Sequence, residues 1–180
     1  MLKNFSAVLL IITSFVTFSL PSGASEIPKE LEGVPGLKHP YTNLYIAGQP
    51  KPDDFAAFNK AGVKNVINLR PPKEMPDFNE AAIVTKSGMA YYNIPIADRS
   101  DLTKENVSLL DSLLTKLENE KVLVHCSSGV RVAALMTLRA AWFHGASIED
   151  AMKLGESYGL TKWTPDVKKL LDSDANILKK

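Results

Sequence analysis

The chain has one cysteine, Cys126, and three histidines among its 180 residues. A single thiol cannot close an intramolecular disulfide, so packing must hold the fold even in an oxidising compartment. His39, His125 and His144 are too widely separated for a zinc spacing, and no ligand cluster calls for a metal or any other cofactor. An excess of one charge is also missing. The 21 basic residues face 20 acidic ones, so no long-range field suggests nucleic acid or an anionic membrane as a partner. Anion recognition, if present, must be built locally. Internal repeats and low-complexity segments are absent, which removes solenoid and repeat-array architectures.

Long uncharged apolar runs are lacking except at the amino terminus. There, "MLKNFSAVLLIITSFVTFSLPSGAS" places Lys3 ahead of an apolar run over residues 5–20, followed by small residues. That order is the plan of a secretory signal peptide spanning residues 1–24, cut after Ala24, with Ser22 and Ala24 in the two small-residue positions. An uncleaved anchor helix is the alternative, because the run approaches the length that spans a bilayer. Pro21 and the small residues behind it favour cleavage. The expectation is an exported, periplasmic protein with no membrane attachment once the leader is gone. Lys3 is the leader's only charge, so the mature chain balances its two signs, and its length suffices for one domain with a real core.

Residues 25–43, "SEIPKELEGVPGLKHPYTN", are rich in proline and glycine, have no period, and read as an extended lead-in. Residues 44–180 read as a single domain. "LYIAG" (44–48), "VKNVINLR" (63–70), "MAYYNIPI" (89–96) and "KVLVHC" (121–126) have the length and β-branched or aromatic content of strands. "DDFAAFNKAG" (53–62) and "DFNEAAIVTKSG" (77–88) suit helices stopped by glycine. From Thr103, Val107, Leu110, Leu113, Leu114 and Leu117 fall on one helical face. "VAALMTLRAAWFHG" is apolar nearly all round, as a buried central helix would be. Ser147 and Thr164 are the expected N-caps of two final helices, with Pro165 at the first helical position of the second. Strands alternating with helices predict an α/β fold with a central, mostly parallel sheet flanked by helices.

The stretch "VHCSSGVRV" (124–132) carries the chemistry. Cys126 stands at the carboxyl end of an expected buried strand and just before a helix, the place where open α/β sheets bind ligands. A run of backbone N–H groups entering a helix amino terminus cradles an anion, because those donors have no partner inside the helix and the dipole favours negative charge. Gly129 lets such a loop take a positive φ. The same field favours a thiolate at Cys126. Arg131 adds a planar fork suited to a tetrahedral oxyanion. The competing reading is a small buried cysteine that happens to lie near an arginine.

"HCSSGVR" resembles the phosphate-binding loop of cysteine-dependent protein tyrosine phosphatases. Together with "LYIAGQPKPDDFAAFNKAGVKNVINLRPPKE" and "YYNIPI", residues 44–144 resemble a bacterial group of dual-specificity-phosphatase-like domains, also found as the leading domain of β-lactamase-hydrolase-like proteins. The resemblance implies a phosphatase acting on a phosphorylated protein or a small phosphate ester. Cys126 would be the nucleophile and Arg131 the phosphate-binding arginine. Ser127, Ser128, Gly129 and Val130 would supply backbone donors, and His125 would orient the cysteine. The family's general acid follows the strand that here reads "YYNIPIADRSD", which makes Asp98 the first choice and Asp101 the second.

Two departures are visible. Four residues separate Cys126 from Arg131 where familiar phosphatases have five, and Val132 stands where the pattern has Ser or Thr. The short spacing also resembles rhodanese-type sulfurtransferases, which carry sulfur on cysteine. A loop that binds phosphate or sulfate with little turnover is a third reading. Asp98 and Asp101 could equally cap a turn before the helix at Thr103. Arg70 could reach the anion or pair with Glu74.

Overall fold

The short apolar runs are strands and occupy the middle of the molecule. The computed structural model describes residues 26–75 and 78–177, so the expected signal peptide lies outside the described residues. Strands β1 (Lys38–Tyr41), β2 (Leu44–Ala47), β3 (Val63–Asn68), β4 (Ala90–Asn93) and β5 (Lys121–His125) form one sheet in the order β1-β2-β5-β3-β4. β1 runs antiparallel to β2, and every other pairing is parallel. The described residues also form helices α1 (Asp54–Lys60), α2 (Glu80–Lys86), α3 (Lys104–Lys116), α4 (Val130–His144), α5 (Ile148–Tyr158) and α6 (Thr164–Ile177).

β5 is the central strand, and Val122 to His125 are all buried, as a parallel strand covered on both faces requires. Its side chains alternate between two cores. Val122 and Val124 join the larger one with residues of α3 to α6, while Leu123 joins the smaller one with Phe55, Phe58 and Val84 of α1 and α2. The sheet therefore separates two helical layers, and the carboxyl end of β5 opens between them. That is where Cys126 lies.

The segment expected to be a lead-in is part of this architecture. Leu31 and Val34 are buried, and β1 adds an antiparallel edge on which His39 stacks against Tyr45 with ring centroids 3.9 Å apart. Pro40 hid the strand, yet proline is tolerated on an edge, where its missing N–H is not needed. Ser147 caps α5 as expected, accepting from Asp150 N, and Thr103 caps α3 by accepting from Asn106 N. Thr164 does not cap. It begins α6 itself, and its hydroxyl donates to Thr161 O at 2.6 Å. α2 starts at Glu80 behind its cap Asn79, three residues later than its composition suggests.

α4 and α5 pack tightly at Gly155, where a Cβ would lie 2.2 Å from Thr137 Oγ1 and 3.0 Å from Leu160 Cδ2. Thr137 is fully buried and its hydroxyl donates to Ala133 O at 2.7 Å, so it has little freedom to withdraw. Gly155→Ala gains about 1 kcal/mol of helix propensity but overpacks this contact, which costs about 1–3 kcal/mol or more. The expected result is a lower urea midpoint at an unchanged m-value. A raised midpoint would mean that the two helices separate freely.

Candidate active site

β5 ends at His125 and α4 begins at Val130, so Cys126, Ser127, Ser128 and Gly129 turn the chain. Gly129 has φ +88°, in the left-handed region that favours glycine. In that conformation its N–H points back and donates to Cys126 Sγ at 3.1 Å. The sulfur thus sits at the amino end of a 15-residue helix, whose first N–H groups have no helical partner and whose dipole favours negative charge. Cys126 is fully buried, whereas Ser127 and Ser128 are exposed. The back of the loop is closed by main chain. Gln49 N donates to Ser127 O at 3.2 Å, and a Cβ on Gly48 would lie 3.0 Å from Ser127 O and from Pro35 O.

Arg131 projects from the first turn of α4 and is buried. Nη1 donates to Ile96 O at 3.0 Å, and Nη2 donates to Glu74 Oε2 at 2.7 Å and to Ser127 Oγ at 3.2 Å. Glu74 lies on a 3-10 turn, Pro72–Glu74, immediately after β3. Its carboxylate also stands 3.6 Å from Arg70 Nε. The fork is therefore held in one orientation at the mouth of the loop. Its Nε–H and one Nη1–H have no partner among the described residues, leaving two donors for an anion.

The His125 ring points away from the Cys126 side chain. As the residue after Val124 it faces the smaller core, on the opposite side of the sheet from Cys126, and its Nε2 bonds Glu80 Oε1 at 3.0 Å. Glu80 is buried to 3 % exposure and is the hub of a polar network. Gln49 Nε2 donates to its Oε2 at 2.6 Å, and Asn68 Nδ2 donates to its Oε1 at 2.6 Å. Arg70 Nη1 in turn donates to Gln49 Oε1. Burial raises the Glu80 pKa, but the hydrogen bond and charge of His125, the Gln49 amide and the Arg70 charge outweigh it and hold the carboxyl below its ordinary value. Residues 49, 70, 74 and 80 thus link His125 on one side of β5 to Arg131 on the other.

Asp98 and Asp101 share a reciprocal capping box around the turn Arg99–Asp101. Asp98 Oδ1 accepts from the Ser100 hydroxyl at 2.6 Å and from Ser100 N at 2.8 Å. These two bonds, the hydroxyl first, hold its carboxyl below the usual aspartate value. Asp101 Oδ2 accepts from Ala97 N at 2.7 Å and from Asp98 N at 3.3 Å, a structural role in the turn. Arg99 fastens the turn to α6, with its Nε 2.8 Å from Asp166 Oδ2 and its guanidinium 5.5 Å from the centre of the Trp163 ring.

A buried cysteine thus lies under a glycine amide with a fixed arginine beside it. The model of the family described as "Beta-lactamase hydrolase-like protein, phosphatase-like domain" matches residues 37–142. The chain belongs to this family. A β-lactamase hydrolase-like protein of Xylella fastidiosa (strain Temecula1 / ATCC 700964) is 32% identical over 120 residues, which cover 64% of this chain and 27% of the relative. The chain thus spans only about a quarter of that relative's length. Among solved structures, a candidate phosphatase from Shewanella putrefaciens CN-32 superposes with a TM-score of 0.62 at 26% identity, covering 84% of this chain and 96% of its own. P. aeruginosa TpbA, in a cysteine-to-serine form in complex with pTyr, superposes with a TM-score of 0.58 at 15% identity, covering 83% and 88%. The fold is that of the tyrosine and dual-specificity phosphatases, with a single domain and a mostly parallel sheet.

The family's loop is the part that sequence reading located, and the structure brings Cys126, Gly129 and Arg131 together there. Three contributors were missed. Gln49 and Glu80 carry no sequence signal of their own, and Glu74, expected only as a partner for Arg70, also pairs with Arg131. An available signal was the clustering of Arg70 and Glu74 directly behind β3, at the same sheet edge as Cys126.

Proposed function

We propose that this chain is a cysteine-dependent phosphatase, exported to the periplasm, that hydrolyses phosphate monoesters of the phosphotyrosine or dual-specificity kind. The observation that carries the reading is the Gly129 N–H donating to Cys126 Sγ at 3.1 Å beneath the amino terminus of α4, since it sets the sulfur against the unpartnered helix amides that would hold a phosphoryl group. The TpbA complex with pTyr supports the substrate class by analogy of fold. The Cys126 thiolate attacks phosphorus, and the ester P–O bond breaks as Asp98 gives its proton to the leaving oxygen. Loop amides from Ser127 to Val130 and the Arg131 fork hold the equatorial oxygens. Water then attacks the cysteinyl-phosphate, loses its proton to Asp98, and releases phosphate and the thiolate. Val132 is fully buried in the larger core and has no hydroxyl to steady the departing thiolate, so this second step is the slow one.

The role of Asp98 has a pH signature. As general acid it must carry a proton, yet the Ser100 hydroxyl and amide favour its ionised form. Ser100→Ala removes the larger of those two influences and raises the Asp98 pKa toward the ordinary aspartate value. A greater fraction is then protonated at any given pH, and the alkaline limb of the kcat/KM profile moves to higher pH. A limb that stays in place removes Asp98 from the mechanism.

The reading as a whole is tested by exposing the purified protein to an aryl phosphate and, separately, to thiosulfate, then taking intact masses. Phosphate release with transient gain of a phosphoryl group on Cys126 is the expected result. A stable gain of one sulfur without phosphate release would make the protein a sulfur carrier. Neither change, with anion binding retained, would leave a binding module.

A further inference from the structure

A cavity flanks the far end of α4. It lies between α4, α5 and β1 and measures about 370 Å³, within the range of about 300–1,000 Å³ usual for small-molecule pockets. Met136, Ala140, Ala146 and Leu154 give it an apolar wall. Two donors line it. The Tyr158 side chain is buried at 4 % exposure, and its hydroxyl has no partner among the described residues. Burial, with the neighbouring Tyr41 hydroxyl adding to it, raises the Tyr158 pKa and keeps the group protonated, although the two hydroxyls stand outside hydrogen-bond geometry. Arg139 Nε donates to Asp111 Oδ1 at 2.8 Å, and its Nη groups have no partner among the described residues. His144 Nε2 lies 2.8 Å from the same Asp111 oxygen, so Asp111 holds the Arg139 and His144 side chains in place at one corner of the cavity.

A buried hydroxyl without an acceptor is unfavourable, and such a group calls for an explanation. An acceptor-only group with an apolar body answers it. An Arg fork beside a hydroxyl donor suits the two oxygens of a carboxylate. Asp150, exposed at the rim with its carboxylate bonded to the Ser147 hydroxyl at 2.7 Å, opposes a second negative charge. The geometry points to a binding site for a small monocarboxylate with an aryl or branched alkyl body, its carboxylate on Tyr158 and Arg139 and its body against Met136 and Leu154. The site is separate from the phosphate-binding loop. Arg139 follows Arg131 by eight residues along α4, about 12 Å at 1.5 Å per residue.

The test is calorimetric titration of the full-length protein with naphthalene-2-carboxylate, with 2-naphthylmethanol as the neutral control, in the absence and presence of saturating inorganic phosphate. Saturable one-to-one binding of the carboxylate, unaffected by phosphate and at least about tenfold tighter than that of the alcohol, is expected. Tyr158→Phe removes only a hydroxyl without a partner, so the free protein should be as stable as before or more so, while carboxylate affinity falls about five- to tenfold. Arg139→Gln should weaken binding at least as much. Absence of saturable binding, displacement by phosphate, or equal affinity in both variants would overturn the proposal.

Discussion

Cys126→Ser will abolish turnover of an aryl phosphate, by at least about 10⁴-fold, while leaving oxyanion binding within a few-fold of the parent. The two outcomes separate because the loop uses the residue twice. The attacking atom must be a good nucleophile at neutral pH, which a thiolate is and a serine hydroxyl without an adjacent base is not. The cradle itself is made of amides and of Arg131, whose bonds to Ile96 O, Glu74 and Ser127 do not depend on the sulfur. Serine nearly matches cysteine in volume, and the Gly129 N–H that meets Sγ at 3.1 Å can donate to Oγ instead. Alanine is the poorer test, since Cys126 belongs to the larger core and its removal opens a void. Titration with vanadate measures binding, and single-turnover release of phosphate measures chemistry. Hydrolysis that survives in the serine variant would falsify the covalent mechanism.

Glu80→Ala is expected to destabilise the fold by about 3–5 kcal/mol at neutral pH, because removing one member of a buried charged network strands the others. His125, Asn68 and Gln49 would each lose the carboxylate they now contact at 3.0, 2.6 and 2.6 Å. The pH dependence follows from the sign of the shift. The Glu80 pKa is held below its ordinary value, so its contribution is fully present above the unfolded value of about 4.3 and is lost as pH falls through the folded value. Denaturant midpoints of the parent and of Glu80→Gln should therefore lie far apart at neutral pH and converge as the pH falls below about 4. A constant gap would mean that the carboxylate's charge is not what matters. Turnover per folded molecule should fall as well, since Gln49, Arg70 and Glu74 connect Glu80 to the fork of Arg131.

Sequence alone reached the fold class and the turn between β5 and α4 that brings Cys126, Gly129 and Arg131 together, and the reasons are local. A strand such as β5, a glycine with positive φ and a helix amino terminus all announce themselves within a few residues. β1 escaped because four residues with a proline carry no periodic signal, and what makes it a strand is the distant Ile46 and Leu44 across the sheet. The capping of Asp98 and Asp101 was half legible, since turn chemistry is local, but their reciprocity depends on backbone geometry. Glu80 was invisible for a stronger reason. An acidic residue in the first turn of a helix looks like a solvated dipole partner, and only the packing of α2 against the sheet beneath His125 turns it into a buried hub. His125 illustrates the same limit, because adjacency to Cys126 in a strand places the two side chains on opposite faces.

The stretch around Pro35 and Gly36 takes on another meaning in this light. A Cβ on Gly36 would stand 3.2 Å from Ser128 O, and Gly48 N donates to Pro35 O at 2.7 Å. The chain ahead of the first parallel strand therefore acts as a mould for the loop between β5 and α4. A loop one residue shorter than usual has less slack with which to find its shape, and here part of that shape is impressed from outside. Substitutions in this segment can then reshape a loop they do not belong to, which gives evolution a handle on the loop without altering its own residues.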